Sequence, residues 1–129
     1  MTEGQHLVLV VDDDLAVRES LKFALELEGL EVQTCRGGAD LLTHPQLWRA
    51  DCLILSHHMP VMGGFAVLAR LTVLSCRVPV ILITDHLTDA LRRHAAMAGV
   101  RHVVEKPLLD SALSDSIQDI LRGTGWRAA

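Results

Sequence analysis

Short apolar runs alternate along the chain with stretches of helical period. Leu7–Val11 is five apolar residues closed by Asp12, Asp13 and Asp14. A run that short and that uniformly apolar suits a strand buried on both faces. Asp14 is placed to cap a helix over about Leu15–Glu28. Val17, Leu21, Ala24, Leu25 and Glu28 fall on one face of it, and Gly29 stops it. Leu30–Thr34 reads as a second strand. Gly37-Gly38 opens a weak helix near Ala39–Leu42, closed before Pro45. Cys52–Leu55 reads as a third strand, and a turn with Pro60 and Gly63-Gly64 leads into a helix over about Phe65–Leu74. Val78–Ile83 reads as a fourth strand, with Pro79 at its start, where a missing N–H is tolerated. Thr88 caps a helix to about Ala98, stopped by Gly99. Arg101–Val104 is a short fifth strand, and a last helix starts at Asp110 or Ser111 and ends near Arg122-Gly123.

Strands alternating with helices in this way predict an α/β fold, (βα)5, with a parallel sheet covered on both faces. Sites in such sheets lie at the carboxyl ends of the strands. The informative residues are then Asp12-Asp13-Asp14, Ser56-His57-His58, Thr84-Asp85-His86 and Glu105-Lys106. With 129 residues the chain is one domain, spanning 1–129 with a core of about 7–122. Apolar types make up 50% and aromatics only 3%, so the core is built from Leu, Val, Ile and Ala. A net charge of −4 with no basic cluster beyond Arg92-Arg93 argues against direct nucleic-acid binding. The longest apolar runs are far too short to cross a membrane. MTEGQH lacks the pattern of a signal peptide, which makes the cytoplasm the expected compartment. Three cysteines, Cys35, Cys52 and Cys76, without a CxxC, point to no disulfide framework or zinc site. Cys52 is expected to be a buried small hydrophobe.

Adjacent carboxylates at one strand end repel each other and stay ionised together only beside a cation. A hard divalent ion such as Mg2+ is one solution, and Lys106 is a second source of positive charge. Thr84 offers a hydroxyl to a phosphoryl oxygen. The plainer reading is that Asp12–Asp14 cap the first helix, but capping needs one Asp, not three.

VLVVDDD before a helix, MP after strand 3, VPVILIT at strand 4 and Lys-Pro after strand 5 resemble the receiver domain of bacterial two-component response regulators. The four motifs stand in the family's order over about Leu7–Arg122. LVLVVDDDLAVRESLKFALELEGLEV is especially similar to receivers of the FixJ-like group. The resemblance implies a flavodoxin-like doubly wound sheet in the order 2-1-3-4-5. It also implies an acidic pair at Asp12 and Asp13, a switch hydroxyl at Thr84, and the pocket lysine at Lys106 with Pro107 behind it.

The family's phosphoacceptor aspartate lies four residues before the Pro of MP, and that position is Ser56. Other departures accompany it. Met62-Gly63-Gly64 stands where receivers read MDG. Asp85 replaces a small residue after the switch Thr. Val103 occupies the aromatic switch position, in a chain without Tyr. Together they describe a divergent pseudo-receiver. Ser56 is neutral and removes a carboxylate from the Mg2+ shell, leaving Asp13 to bind Mg2+ weakly at best, so no cofactor is required. Ser56 is expected to fill space and bond Lys106 or water; phosphorylation at Ser56 or a neighbouring Asp is the alternative. Asp85 either pairs with Lys106 and fixes Thr84, or faces solvent or caps the helix beginning near Thr88.

The resemblance implies that His58 and His86 flank the pocket entrance. With Asp13 or Asp85 they suit a transition metal or small-molecule sensor; the plainer reading is exposed loop histidines. His6, His44, His94 and His102 belong to no constellation. The fourth helix, fifth strand and fifth helix, with Leu87, Leu91, Val100 and Val103, form the family's signalling face and a route to a homodimer. Without the aromatic, no coupling element is evident there, and Val103 is expected to be core. The expected role is non-enzymatic: signal transduction by phosphorylation-independent contact with a histidine kinase or another regulator. The tail GTGWRAA is too short for a DNA-binding output domain, which places output in trans or outside this chain.

Overall fold

The computed structural model describes residues 5–108 and 111–123. The elements follow in chain order: β1 (Leu7–Val11), α1 (Leu15–Leu27), β2 (Glu31–Cys35), α2 (Gly38–Leu42), a 3-10 turn (Leu47–Arg49), β3 (Cys52–Ser56), α3 (Gly64–Val73), β4 (Val80–Thr84), α4 (Asp89–Met97), β5 (His102–Glu105) and α5 (Ala112–Arg122). All strand pairs are parallel, in the order β2-β1-β3-β4-β5. The parallel (βα)5 sheet is the one expected from the alternation of runs, and its flavodoxin-like order is the one the receiver resemblance implies. The expected start of the last helix at Asp110 lies outside the described residues, as do the MTEG start and the tail beyond Gly123.

The sheet's pleat sorts the core into two halves. Leu7, Leu9, Leu53, Leu55, Val80 and Leu82 pack on the side that carries α3. Val8, Val10, Ile54, Ile81, Ile83 and Val104 pack on the side that carries α1 and α5. Alternate residues of a strand face opposite ways, so the same parity decides where the residues at the strand ends point.

Helix boundaries have local causes. Asp14 caps α1 by accepting from the Ala16 N–H at 2.8 Å. Thr88 caps α4 by accepting from the Leu91 N–H at 3.0 Å. Gly29 and Gly99 follow α1 and α4 at φ +88° and +86°, a backbone region that disfavours other residues. The fourth strand begins at Val80, two residues later than expected: Pro79 has no N–H to give and contributes only its carbonyl, to the Leu53 N–H. On α1 the buried residues are Arg18, Leu21 and Leu25, while Ala24 and Glu28 are exposed. Arg18 replaces them in the interior because its guanidinium turns back to the Asp12 carbonyl, 2.8 Å away. Cys52 is fully buried, as expected, and all three thiols are free. No helix among the described residues is long and apolar enough to cross a membrane.

Candidate functional site

The carboxyl ends of β1, β3, β4 and β5 bring the expected residues together, but not in one group. The three aspartates divide their work. Asp12 is buried; its Oδ1 accepts from the Asp14 N–H at 2.8 Å, and its Oδ2 accepts from Lys106 Nζ at 3.2 Å. Asp14 caps α1. Asp13 is exposed. Lys106, partly buried just after β5, supplies the counter-charge for the innermost carboxylate. Carboxylate repulsion is therefore relieved within the chain.

Ser56 closes β3 and is buried; its Oγ donates to the His58 carbonyl at 3.5 Å, a long and weak bond. Of the two partners expected for it, Lys106 is not one, because that lysine is engaged by Asp12. Asp85 does not pair with Lys106 either. Both line a groove of about 660 Å3 along α1, with Ala16, Ser20 and Pro107, but Asp85 is exposed and Lys106 reaches Asp12 instead. Of the alternatives for Asp85, pairing with Lys106 is therefore not the one found; the residue is exposed. The alternative metal set also fails to form. His58, His86, Asp13 and Asp85 are all exposed, and no cluster of three His, Cys, Asp or Glu suited to a metal exists among the described residues.

Thr84 lies on the other side of the sheet from Asp12 and Lys106, continuing the parity of Val80 and Leu82. Its Oγ1 shares a hydrogen bond with His57 Nδ1 at 3.3 Å and makes long contacts of 3.4 and 3.5 Å with the backbone of His86. Burial, then the neighbouring charges of His58 and His94, push the His57 imidazole below its ordinary value, which favours the neutral ring that a hydroxyl can partner. The loop after β4 is tied down again by the Leu87 N–H, which donates to Glu105 at 3.0 Å.

Two residues that the sequence did not single out complete this half. Phe65 meets His57 edge-on, with ring centroids 5.5 Å apart at 76°. His94 stacks on Phe65, 3.8 Å apart at 4°. His94 is thus part of a constellation after all. So are His102, 2.8 Å from Asp119, and His6, 3.6 Å from Asp51; His44 accepts from the Gln46 N–H. Gly63, at the expected departure from MDG, precedes α3 and Gly64 opens it. A Cβ at Gly64 would stand 2.8 Å from the Ser56 carbonyl oxygen and 3.1 Å from His57 Cα, so only glycine lets α3 start this close to β3. Val103, Leu91 and Val100 pack against the core but are only partly buried.

A family model of the response regulator receiver domain matches residues 8–118. The chain is 34% identical over 121 residues to the transcriptional regulatory protein PrrA of Mycobacterium leprae, covering 94% of this chain and 52% of that protein. It is 33% identical over 111 residues to the transcriptional regulatory protein FixJ of Azorhizobium caulinodans, covering 86% and 53%. The chain therefore spans about half the length of these curated relatives. The chemotaxis protein CheY4 of Vibrio cholerae superposes with a TM-score of 0.82 at 26% identity, covering 90% of this chain and 98% of that one.

Proposed function

From a chain that belongs to the response regulator receiver family, we propose a signal-transduction domain in which Ser56 stands at the phosphoacceptor position and output runs through protein contact without phosphorylation. The observation that carries this reading is the state of the Ser56 hydroxyl. Among the described residues its only partner is the His58 carbonyl, so no carboxylate or imidazole takes its proton. A serine without a base is a poor nucleophile. Phosphoryl transfer depends on positioned charge, and here the Lys106 charge already serves Asp12.

The donor set fits Mg2+ poorly. Of the carboxylates at the end of β1, Asp12 is paired with Lys106 and Asp14 caps α1, while Asp13 is exposed; Ser56 is neutral, and a hard ion bound mainly by water and one carboxylate is held weakly. On this reading the domain needs no cofactor and catalyses nothing. Its partners are a histidine kinase or another regulator in the cytoplasm, with the α4–β5–α5 face as the route to a homodimer. The chain itself makes no direct contact with nucleic acid, in keeping with its net charge of −4.

Intact mass after incubation with Mg2+ and a small-molecule phosphodonor tests the reading. No added phosphoryl mass is expected. A single addition would overturn it, and lability to hydroxylamine would then separate an aspartyl phosphate from an ester on Ser56.

A further inference from the structure

The position that would carry a switch aromatic holds Val103, so the usual ring on β5 is absent, yet three rings line up on the same side of the sheet. We propose that Phe65, held between His57 and His94, couples the hydroxyl of Thr84 to helix α4. The inference does not depend on whether Ser56 accepts a phosphoryl group.

The geometry builds from the backbone outward. The His57 N–H donates to the Ile83 carbonyl at 2.8 Å, which fixes His57 beside the end of β4. The Gly64 N–H donates to the His57 carbonyl at 2.9 Å. That contact requires a residue without Cβ at position 64, and it brings the next residue, Phe65, against the imidazole. The His57 ring then has two restraints: the hydrogen bond between Nδ1 and Thr84 Oγ1 at 3.3 Å and the edge contact with Phe65. The far face of Phe65 is covered by His94, which belongs to α4. The χ1 torsions that place these rings sit in few staggered wells, so a ring that leaves its neighbour moves to a different discrete position. Thr84 bonded to His57 with the rings stacked is one arrangement. Thr84 turned away, with His57 and Phe65 reoriented, is the other. Coupling between sites requires such a two-state element, and it acts equally in both directions.

A second route from Thr84 to α4 exists along the chain itself, through residues 85–88, and the experiment separates the two. Thr84→Val keeps the side-chain shape and removes the hydroxyl. In the full chain it is expected to move the amide resonances of Asp89–Met97 and the ring signals of His94. The same substitution in a Phe65→Leu background is expected to give a response at α4 that is at least halved. The reverse perturbation, His94→Ala, is expected to move the His57 ring and the Thr84 methyl. Should Phe65→Leu fail to fold, His94→Leu removes the stack from the exposed side and must reduce the backbone response of α4 to Thr84→Val in the same way. A response of α4 that is absent, or unchanged without the ring row, would overturn the proposal. Neither result bears on phosphoryl acceptance, which the intact mass reads separately.

Discussion

Removing the ammonium of Lys106 leaves the Asp12 carboxylate buried without its counter-charge. The Asp12 side chain is 1% exposed and that of Lys106 is 21% exposed, with 3.2 Å between the charged atoms. At that distance and an effective dielectric of about 20, the attraction is about 5 kcal/mol. Two features reduce the net cost of losing it. The Asp14 N–H still donates to Asp12, and the open side at Lys106 lets water approach. Lys106→Met is therefore expected to cost about 3 kcal/mol, at the lower end of the range for breaking a buried pair from one side. Asp12→Asn is expected to cost only about 1 kcal/mol: the amide oxygen still accepts from Asp14, and the ammonium left behind can turn to solvent. The double variant should recover most of the loss of Lys106→Met. Urea unfolding followed by far-ultraviolet circular dichroism reads all three. With slopes of about 1–3 kcal/mol per molar urea for small proteins, Lys106→Met should lower the midpoint by about 1 M or more. Equal costs for the two single variants would refute the reasoning. So would a loss below about 0.5 kcal/mol for Lys106→Met, which would make the contact an ordinary surface pair.

The lowered pKa of His57 means that the unfolded chain takes up its proton first. Stability is full above the ordinary value of 6.5 and falls as pH drops from there through the folded value; urea midpoints between pH 5 and 8 should show a slope that His57→Gln reduces. Gly64→Ala drives a Cβ into the Ser56 carbonyl oxygen, Leu82 and His57; it is expected to cost about 1–3 kcal/mol and to shift the amide resonances at the end of β3. Burial pushes the Cys35 thiol up to about 11 and the Cys52 thiol up to about 12, and raises Cys76 as well. Titration with a thiol reagent should therefore find the three thiols slow in the native protein and fast in denaturant, where the groups are exposed.

Most of the architecture was legible because each strand is a compact apolar run and each helix carries its own cap or stop. Asp14, Thr88, Gly29 and Gly99 all act where the sequence places them. The site was legible only in part. That Asp12, Thr84 and Lys106 stand at strand ends follows from the order of elements. Which side of the sheet each one serves follows from strand parity, a signal present in the sequence but visible only once the strand limits are known. Thr84 therefore meets His57 rather than the Asp12–Lys106 pair. The pairing of Phe65 with His94 has no sequence signal at all, since it depends on how α3 and α4 pack across a gap of nearly thirty residues. Arg18 was hidden for a related reason: a helical period marks it as charged and outward, whereas a long side chain can fold back to a carbonyl at the end of a neighbouring strand.

The two-sided layout also governs how such a domain can change over generations. Asp12, Ser56 and Lys106 answer to the helices on one side of the sheet, and His57 and Thr84 to those on the other. A substitution confined to one of these strand-end side chains meets the packing on its own side, so the two sets can be replaced separately. A one-residue deletion within β3 or β4 is different, because it would exchange the two sets of side chains and every core residue behind them. Replacement of a residue at a strand end thus keeps the core behind it in register, whereas a change of strand length does not.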